Sequence, residues 1–188
     1  MAAKSKIIGV VGMPYSGKTS VAECWEMKRG CRIHSGDFIS NYLKRMGIKP
    51  SEEMGVMASL YMWVEYGDIP VFNWITKQIT SNRNKRFYII DSLRTVEEAR
   101  LFERRYGDRF KLVAVVTSPS IRFDRFVKRS RRKGESNKLE FRLRDREELR
   151  MGVGDLIASA DYFIDSSGGV GDLKKKANVL LERILKNK

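Results

Sequence analysis

The stretch Gly12-Met13-Pro14-Tyr15-Ser16-Gly17-Lys18-Thr19 decides the fold of this chain. It fits the pattern G-x-x-x-x-G-K-[ST], in which successive backbone N–H groups point at one anion. The five residues before it, 7–11, are apolar apart from Gly9, as a buried parallel strand should be. The residues after it, 20–29, can form a helix that ends at Gly30. A strand, a glycine loop and a helix in this order predict a site for the phosphates of a nucleoside triphosphate.

The side chains of this loop indicate its chemistry. The ammonium group of Lys18 reaches the β- and γ-phosphates, and the hydroxyl of Thr19 can ligate Mg²⁺. We therefore expect nine consecutive residues to bind the nucleotide: Gly12, Met13, Pro14, Tyr15, Ser16, Gly17, Lys18, Thr19 and Ser20. The alternative is a glycine-rich turn beside a surface lysine. It is disfavoured because four specified positions occur together with the strand and the helix that the motif requires.

Length and composition are those of one folded domain. The 188 residues fit a single α/β domain, and a content of 42% hydrophobic and 32% charged residues is typical of a globular chain. The net charge of +14 is the unusual bulk feature. A positive field attracts nucleotides, RNA or acidic lipid, although a solvated lysine-rich surface would produce the same charge.

The sequence predicts a cytoplasmic protein that does not act at a membrane. No apolar run approaches the length of a membrane span, and residues 1–6 lack the apolar core of a signal peptide. Cys24 and Cys31 are the only cysteines, and one histidine is too few to complete the usual ligand set of a zinc site with them. We expect both thiols to lie in or near the core of a protein from a reducing compartment.

Strand and helix signals alternate along the rest of the chain. Apolar runs predict strands over 31–34, 87–91, 111–116 and 161–165, in addition to 7–11. Helices are predicted over 38–46, 51–66, 71–82, 95–106 and 170–186. One further helix begins at 121, and another ends at about 151. An N-cap is expected at Ser51 and a capping box at Thr95–Glu98. This order predicts an α/β/α protein of three layers with a five-stranded parallel sheet, in a single domain over 1–188.

Polar residues follow several of the predicted strands. Gly12, Asp37, Asp91 and Thr117 all stand after strand ends, so we expect them to gather at the carboxyl rim of the sheet. Asp91 occupies the place where a P-loop protein puts its second magnesium-directed acid, and Asp37 is a further acid on that rim. For each aspartate, the alternative is a cap of a loop or a helix.

A basic segment runs from residue 128 to 146. Arg125 stands just before this segment and Arg129 near its start. The two residues are four apart, which places both guanidinium groups on one helix face. Phosphoryl transfer depends mainly on positioning and on positive charge around the moving group, so these arginines suit that task. A solvated basic face is the alternative.

Several segments follow a family pattern in the same order over nearly the whole chain. They are the loop 12–19, Ser35-Gly36-Asp37, Gly67-Asp68-Ile69-Pro70, the stretch 90–95 with Asp91 and Arg94, Arg125 to Arg129, Arg144-Asp145 and 160–165. These segments resemble those of the nucleoside monophosphate kinases, in particular adenylate kinases and the dephospho-CoA-kinase-like proteins of archaea. The resemblance implies a P-loop kinase with a helical acceptor-binding insert at about 38–82 and a basic lid at about 128–146.

The resemblance also implies roles for individual residues. Lys18, Arg94, Arg129 and Arg144 would be the catalytic clamp on the transferring phosphoryl group. Arg125 would stack on the adenine of the donor ATP, Thr19 and Asp91 would hold Mg²⁺, and residues 166–169 would line the donor base. The substrate side would comprise Asp37, Arg94 and Glu98.

Three residues or pairs depart from the family pattern. Tyr15 replaces a loop glycine whose backbone can require a positive φ, which is unfavourable for an aromatic residue. Ser40 and Asn41 stand where an arginine would hold the acceptor phosphate. Glu98 replaces the glutamine that reads acceptor adenine, and the far end of a capping box explains it as well as a base contact does.

The sequence therefore predicts an ATP- and Mg²⁺-dependent kinase that acts on a nucleotide or another small phosphate acceptor. One rival interpretation is a regulatory or RNA-associated NTPase with little kinase activity, which the charge of +14 and the altered acceptor residues favour. A second rival is a dephospho-CoA kinase, which acts on a larger acceptor.

Overall fold

The computed structural model of this chain describes residues 5–82, 84–130 and 138–186. Five strands are present in it: β1 Lys6–Val11, β2 Cys31–His34, β3 Phe87–Asp91, β4 Phe110–Val116 and β5 Tyr162–Asp165. The helices are α1 Lys18–Glu26, α2 Ser35–Arg45, α3 Glu52–Tyr66, α4 Ile69–Ser81, α5 Val96–Tyr106, α6 Pro119–Ser130, α7 Lys138–Arg150, α8 Val153–Ala158 and α9 Val170–Lys186. A 3₁₀ turn, Gly107–Arg109, leads into β4.

The strands form one parallel sheet in the order β2-β3-β1-β4-β5. β1 is central, and its Ile8 pairs with Ile89 of β3 on one side and with Lys111 of β4 on the other. β2 and β5 are the edge strands. The predicted fold class, a five-stranded parallel sheet covered by helices, is confirmed, and the loop after β1 lies at the carboxyl edge where such sheets bind ligands.

Alternation along the strands produces two core layers. On one face Ile7 and Val11 pack with Phe102 of α5 and with residues of α4 and α8, and on the other face Ile8 packs with Trp25 of α1 and residues of α9. Side chains that alternate between the faces of β1 require cover on both sides, which is why helices flank the sheet twice. A third, smaller cluster joins α2 to α3 through Ile39, Leu43, Ala58 and Met62.

Several helix boundaries differ from the predicted ones. α2 begins at Ser35, so Ser35-Gly36-Asp37 forms its first turn and is not a loop after β2. α1 begins at Lys18 and α6 at Pro119, and the short helix α8 was not predicted at all. Two predicted caps are present, since Ser51 Oγ accepts from Met54 N and Thr95 Oγ1 accepts from Glu98 N. Part of the predicted lid, 131–137, lies outside the described residues.

Within the described part of the chain, no helix is both long enough and apolar enough to cross a lipid bilayer.

Candidate active site

The loop after β1 adopts a conformation that requires glycine at two positions. A Cβ atom on Gly12 would lie 2.5 Å from both Ser16 Oγ and the backbone oxygen of Val115, so any side chain there would displace the loop. Gly17 has φ 100 and is the N-cap residue of α1. The loop closes on itself through a hydrogen bond from Ser16 N to Met13 O at 3.1 Å. It therefore wraps tightly in front of the first turn of α1, where backbone N–H groups lack helical partners.

These features fit the phosphates of a nucleotide. The hydroxyl of Ser16 is buried and has no hydrogen-bond partner among the described residues. Thr19 stands in the first turn of α1 with an exposed side chain. An anion at this helix N-terminus would meet unpaired backbone donors together with the positive end of the helix dipole.

The electrostatics of Lys18 connect the loop to its surroundings. Burial lowers the pKa of the Lys18 ammonium below its ordinary value, and the nearby charges of Glu148 and Asp91 oppose that shift. The guanidinium groups of Arg94 and Arg122 lower the pKa further. Lys18 thus stands within electrostatic range of two carboxylates and two arginines, a concentration of charge that is typical of active sites.

Asp91, the predicted magnesium-directed acid, is fully buried at the end of β3 and is bound by the chain itself. Its Oδ2 accepts from Arg32 Nη2 at 2.6 Å and from Arg32 Nε at 3.0 Å, and it lies 3.6 Å from His34 Nδ1. Burial would raise the pKa of Asp91, but the nearby His34 and the hydrogen bonds from Arg32 outweigh burial and hold the pKa below its usual value. Direct coordination of Mg²⁺ through this oxygen would require Arg32 to release it, so the carboxylate fits a metal poorly as it stands.

Tyr15 has φ 64, so the positive φ that a glycine would favour is indeed adopted by an aromatic residue. Its ring packs edge-on against Phe126 of α6 at 5.2 Å between centroids and also faces Phe141 of α7 at 6.5 Å. The Tyr15 hydroxyl accepts from Arg144 Nη1 at 2.8 Å. Contacts with two helices hold the unfavourable backbone in place. They also place Arg144 against the loop, where it additionally pairs with Glu140 at 3.4 Å.

Arg125 ties the phosphate loop to the segment after β5. Its Nη1 donates to Tyr15 O, Ser16 O and Ser166 Oγ at 3.1–3.2 Å, and its Nη2 donates to Ser166 O and, at 3.5 Å, to Gly168 O. Both terminal nitrogens of the guanidinium group thus donate to oxygen atoms of the protein. Its predicted stacking on adenine stays a prediction, and what the structure adds is a role in holding two loops together.

Arg122 is a site residue that sequence reasoning missed. It is 4% exposed, and its two terminal nitrogens donate to the two carboxylate oxygens of Asp145 at 2.6 Å each. Nη1 also donates to Pro14 O at 3.3 Å, and the guanidinium group lies over the Phe141 ring at 5.1 Å. The signal was present in the sequence, because Arg122 precedes Arg125 by three residues and therefore shares its helix face.

A cavity of about 70 Å³ is lined by two of the predicted substrate residues, Arg94 and Glu98. It lies between α2, α3, the start of α4 and the segment after β3. Among the described lining residues, Arg94 is the only cation. The side-chain atom Glu98 Oε2 accepts from Arg94 N at 3.1 Å, whereas Oε1 is buried with no hydrogen-bond partner among the described residues. Burial raises the pKa of Glu98 to about 7.

Asp37 does not line the cavity that contains Arg94 and Glu98. It lines a separate groove of about 350 Å³ between β2, α2 and α4, together with Arg32, Ser40, Asn41 and Lys44. The early start of α2 is the reason, since Ser35, Gly36 and Ile39 then face the cavity with Arg94 while Asp37 and Ser40 face the opposite side.

Arg129 stands exposed in the last turn of α6 and makes no hydrogen bond or ion pair with the residues that the structure describes.

The fold is shared with small kinases of known structure. The chain is 17% identical to a gluconokinase from Sinorhizobium meliloti, with a TM-score of 0.63 over 97% of this chain and 94% of that one. It is 17% identical to shikimate kinase from Acinetobacter baumannii, with a TM-score of 0.59 over 98% and 96% of the two chains. At this level of identity, the likeness establishes the P-loop kinase fold alone.

Sequence comparison identifies much closer relatives. No family model matches the chain. A UPF0200 protein of Saccharolobus islandicus is 32% identical over 183 residues, which cover 97% of this chain and 95% of the relative. A UPF0200 protein of Methanothermobacter thermautotrophicus is 32% identical over 178 residues, 95% and 90% of the two chains. Matches of this identity over nearly the full length show that the chain belongs to the UPF0200 family.

Proposed function

We propose that this protein is a cytoplasmic, ATP- and Mg²⁺-dependent phosphotransferase of the small nucleotide-kinase type. The observation that supports this most is the position of Lys18, which belongs to the phosphate loop and also lies within electrostatic range of Arg94. Arg94 lines a second cavity. An NTPase needs only the loop and a water molecule, whereas a kinase needs an acceptor cavity that opens next to the γ-phosphate.

Different residues would bind the donor nucleotide and stabilise the phosphoryl group during its transfer to the acceptor. The loop amides and Lys18 would hold the β- and γ-phosphates, and the exposed hydroxyl of Thr19 would contact the metal. Mg²⁺ supplies neutralisation of the charge on these phosphates. Arg94, between loop and cavity, would stabilise the phosphoryl group as an acceptor oxygen bonds to the γ-phosphorus and the bond to the β-phosphate breaks. We propose that Arg129 and Arg144 complete this clamp when α6 and α7 close on the nucleotide.

The residues that line the cavity favour an acceptor other than AMP. One cation, Arg94, lines it, and the residues at the position of the expected second clamp, Ser40 and Asn41, lie in the groove on the far side of α2. Loss of one charge-assisted contact weakens phosphate binding by about 1.5–3 kcal/mol. At about 70 Å³ the cavity is also smaller than a typical ligand site, so an acceptor would enter only if α2 and α3 move apart. We therefore expect weak activity toward AMP and propose a nucleotide-like acceptor, with dephospho-CoA as the larger candidate.

The test is a panel of nucleotides, dephospho-CoA and short RNAs, each offered with ATP and Mg²⁺ and scored for ADP release. Lys18→Ala should abolish release and weaken ATP binding by about ten- to a hundredfold, the loss of one charge-assisted contact. Lys28→Ala, which removes an exposed lysine just after α1, is the matched control and should leave both unchanged. Unaltered ATP affinity and turnover in Lys18→Ala would show that the loop is not the donor site.

A slow NTPase that contacts RNA is the second candidate. It is favoured by the carboxylate of Asp91, which is bound by Arg32 instead of standing open to a metal. The net charge of +14 points the same way, because phosphate contacts dominate binding to RNA. Salt-dependent retention of RNA without ADP release in the presence of any acceptor in the panel would support this candidate over the kinase.

A further inference from the structure

The groove between β2, α2 and α4 has no part in the phosphotransferase proposed above. We call it the edge groove, because β2 is an edge strand of the sheet. Its volume of about 350 Å³ is within the range of small-molecule sites in proteins. It is lined by Arg32, Asp37, Asn41, Lys44, Trp74 and Gln78, among others. It lies on the opposite side of α2 from the cavity that contains Arg94.

Four polar side chains of the edge groove take no part in the hydrogen bonds of the described fold. Asp37, Asn41, Lys44 and Gln78 form no side-chain hydrogen bond or ion pair with any residue in the described ranges. Asn41 comes from α2 and Gln78 from α4, so two amides converge from two elements. Each amide presents a donor beside an acceptor, which is the pattern on the edges of nucleobases.

An aromatic ring stands among these amides. Trp74 lines the edge groove and is partly buried, with its ring 6.0 Å from that of Phe38. A large ring held by a neighbour offers an apolar surface for a planar ligand without a large loss of side-chain freedom. A groove with an indole and two free amides fits a flat ring that forms hydrogen bonds.

The charges of the edge groove favour an anionic ligand. Lys44 and Arg32 are cations and Asp37 is the single acid among its lining residues. Arg32 uses Nε and Nη2 on Asp91, while its Nη1 lies 3.8 Å from the exposed carboxylate of Glu23. Arg32 is thus already held by carboxylates, and Lys44, which has no ion pair within the described ranges, is the cation most available to a phosphate.

We propose that the edge groove is a second nucleotide-binding site, distinct from the phosphate loop. It takes one nucleotide, with the base at Trp74, Asn41 and Gln78 and the phosphate at Lys44 and Arg32. The nucleotide is either a free nucleoside monophosphate or one unit of single-stranded RNA, which share this chemistry. The site needs no phosphoryl transfer, so it goes beyond the function proposed above and does not depend on it.

Binding is best measured in the Lys18→Ala variant, whose donor site is disabled, with circular dichroism as the check of folding. The probes are AMP, UMP, a hexauridylate and ribose 5-phosphate. If Lys18→Ala does not fold, the same titrations of the wild-type protein saturated with inorganic tripolyphosphate replace it, because this anion occupies the phosphate loop but carries no base. We expect the edge groove to bind AMP or UMP, or the hexauridylate alone. The first result identifies free nucleotides as the ligand and the second identifies RNA.

Matched variants locate the bound nucleotide. Lys44→Ala should weaken binding about tenfold, whereas Arg45→Ala, which removes the same charge from the next residue outside the groove, should weaken it less than about twofold. Gln78→Ala should weaken binding, and Asn73→Ala, an exposed amide on the same helix, should not. Each pair compares the same chemistry inside and outside the edge groove.

Three results would overturn the proposal. Equal losses in Lys44→Ala and Arg45→Ala would reduce the effect to the general charge of the protein. Ribose 5-phosphate that binds as tightly as the nucleotides would show that no base is recognised. Nucleotide binding that disappears in Lys18→Ala, or in the wild type under saturating tripolyphosphate, would belong to the phosphate loop. A protein that fails to transfer phosphate yet binds nucleotide in the edge groove would refute the kinase alone.

Discussion

Tyr15 combines an unfavourable backbone with favourable packing. A φ of 64 costs a residue with a side chain about 1–2 kcal/mol, yet the ring contacts Phe126 and Phe141 and its hydroxyl is bound by Arg144. The contacts outweigh the backbone cost, because a Tyr ring in an aromatic cluster contributes more than that when it is truncated.

We predict that Tyr15→Gly lowers the free energy of unfolding by about 1–3 kcal/mol, although glycine suits the backbone better. The matched control is Arg29→Gly, since Arg29 is exposed with φ 67. There the same relief of strain has no packing loss to offset it, and stability should be unchanged or rise by up to about 1 kcal/mol. Urea denaturation measures both variants. If both changed stability in the same direction, the ring of Tyr15 would have no such packing role.

Glu98 makes stability depend on pH. Its pKa in the folded protein is raised to about 7 by burial, from a reference of 4.5. The folded state therefore holds a proton that the unfolded chain has lost, so the stabilisation is complete below about 4.5 and is lost as the pH rises through about 7. The full change is about 3 kcal/mol for a shift of this size.

Glu98→Gln should remove this part of the pH dependence and make the protein more stable than the wild type at pH values above about 7. Urea denaturation between pH 5 and pH 8.5, at about half-unit steps, would measure it. Glu97→Gln is the control, because Glu97 is exposed and the hydrogen bond from Arg104 lowers its pKa. If the free energy of unfolding changed equally with pH in the wild type and in Glu98→Gln, the buried carboxyl would stay ionised in the folded protein.

At the scale of elements, an ion pair with a buried arginine joins α6 to α7 and contacts the phosphate loop. Arg122 on α6 holds Asp145 on α7 by two hydrogen bonds of 2.6 Å and donates to Pro14 O in the loop. Removal of one partner of a buried pair leaves the other charge without compensation, which is why such pairs are costly to break singly.

Arg122→Ala should lower the free energy of unfolding by about 3 kcal/mol or more, and a double-mutant cycle with Asp145→Ala should show strong coupling. The matched pair is Arg104 with Glu97, whose contact of 2.5 Å lies on the exposed face of α5. Its coupling should be below about 1 kcal/mol. Equal coupling energies in the two cycles would show that burial adds nothing to the Arg122 pair.

At the scale of the whole molecule, the net charge of +14 opposes compaction. Salt screens repulsion between exposed charges beyond about 10 Å at 0.1 M, whereas short buried pairs such as Arg122 with Asp145 are screened much less. We therefore expect the melting temperature to rise by a few degrees between about 20 and about 200 mM NaCl. A melting temperature that falls with salt would show that exposed ion pairs outweigh the repulsion.

Local sequence was sufficient for much of the fold. The phosphate loop, the five strands and the caps at Ser51 and Thr95 depend on periodicity, on glycine and on short-range hydrogen bonds, all of which are visible in a few neighbouring residues. The positive φ of Tyr15 was expected for the same reason. α8 was missed because six residues are too few for a helical period to emerge.

The assignment of side chains to cavities depended on the tertiary structure. Arg32 and Asp91 are 59 residues apart and meet because β2 pairs with β3, and Arg122 meets Pro14 across 108 residues. Asp37 and Arg94 were expected at one site, but α2 begins three residues earlier than predicted, and at about 100° per residue such an offset changes which face a side chain occupies. Local patterns determine which elements form. Contacts between residues far apart in sequence determine which side chains share a cavity, because they exist only after the helices and strands have packed together.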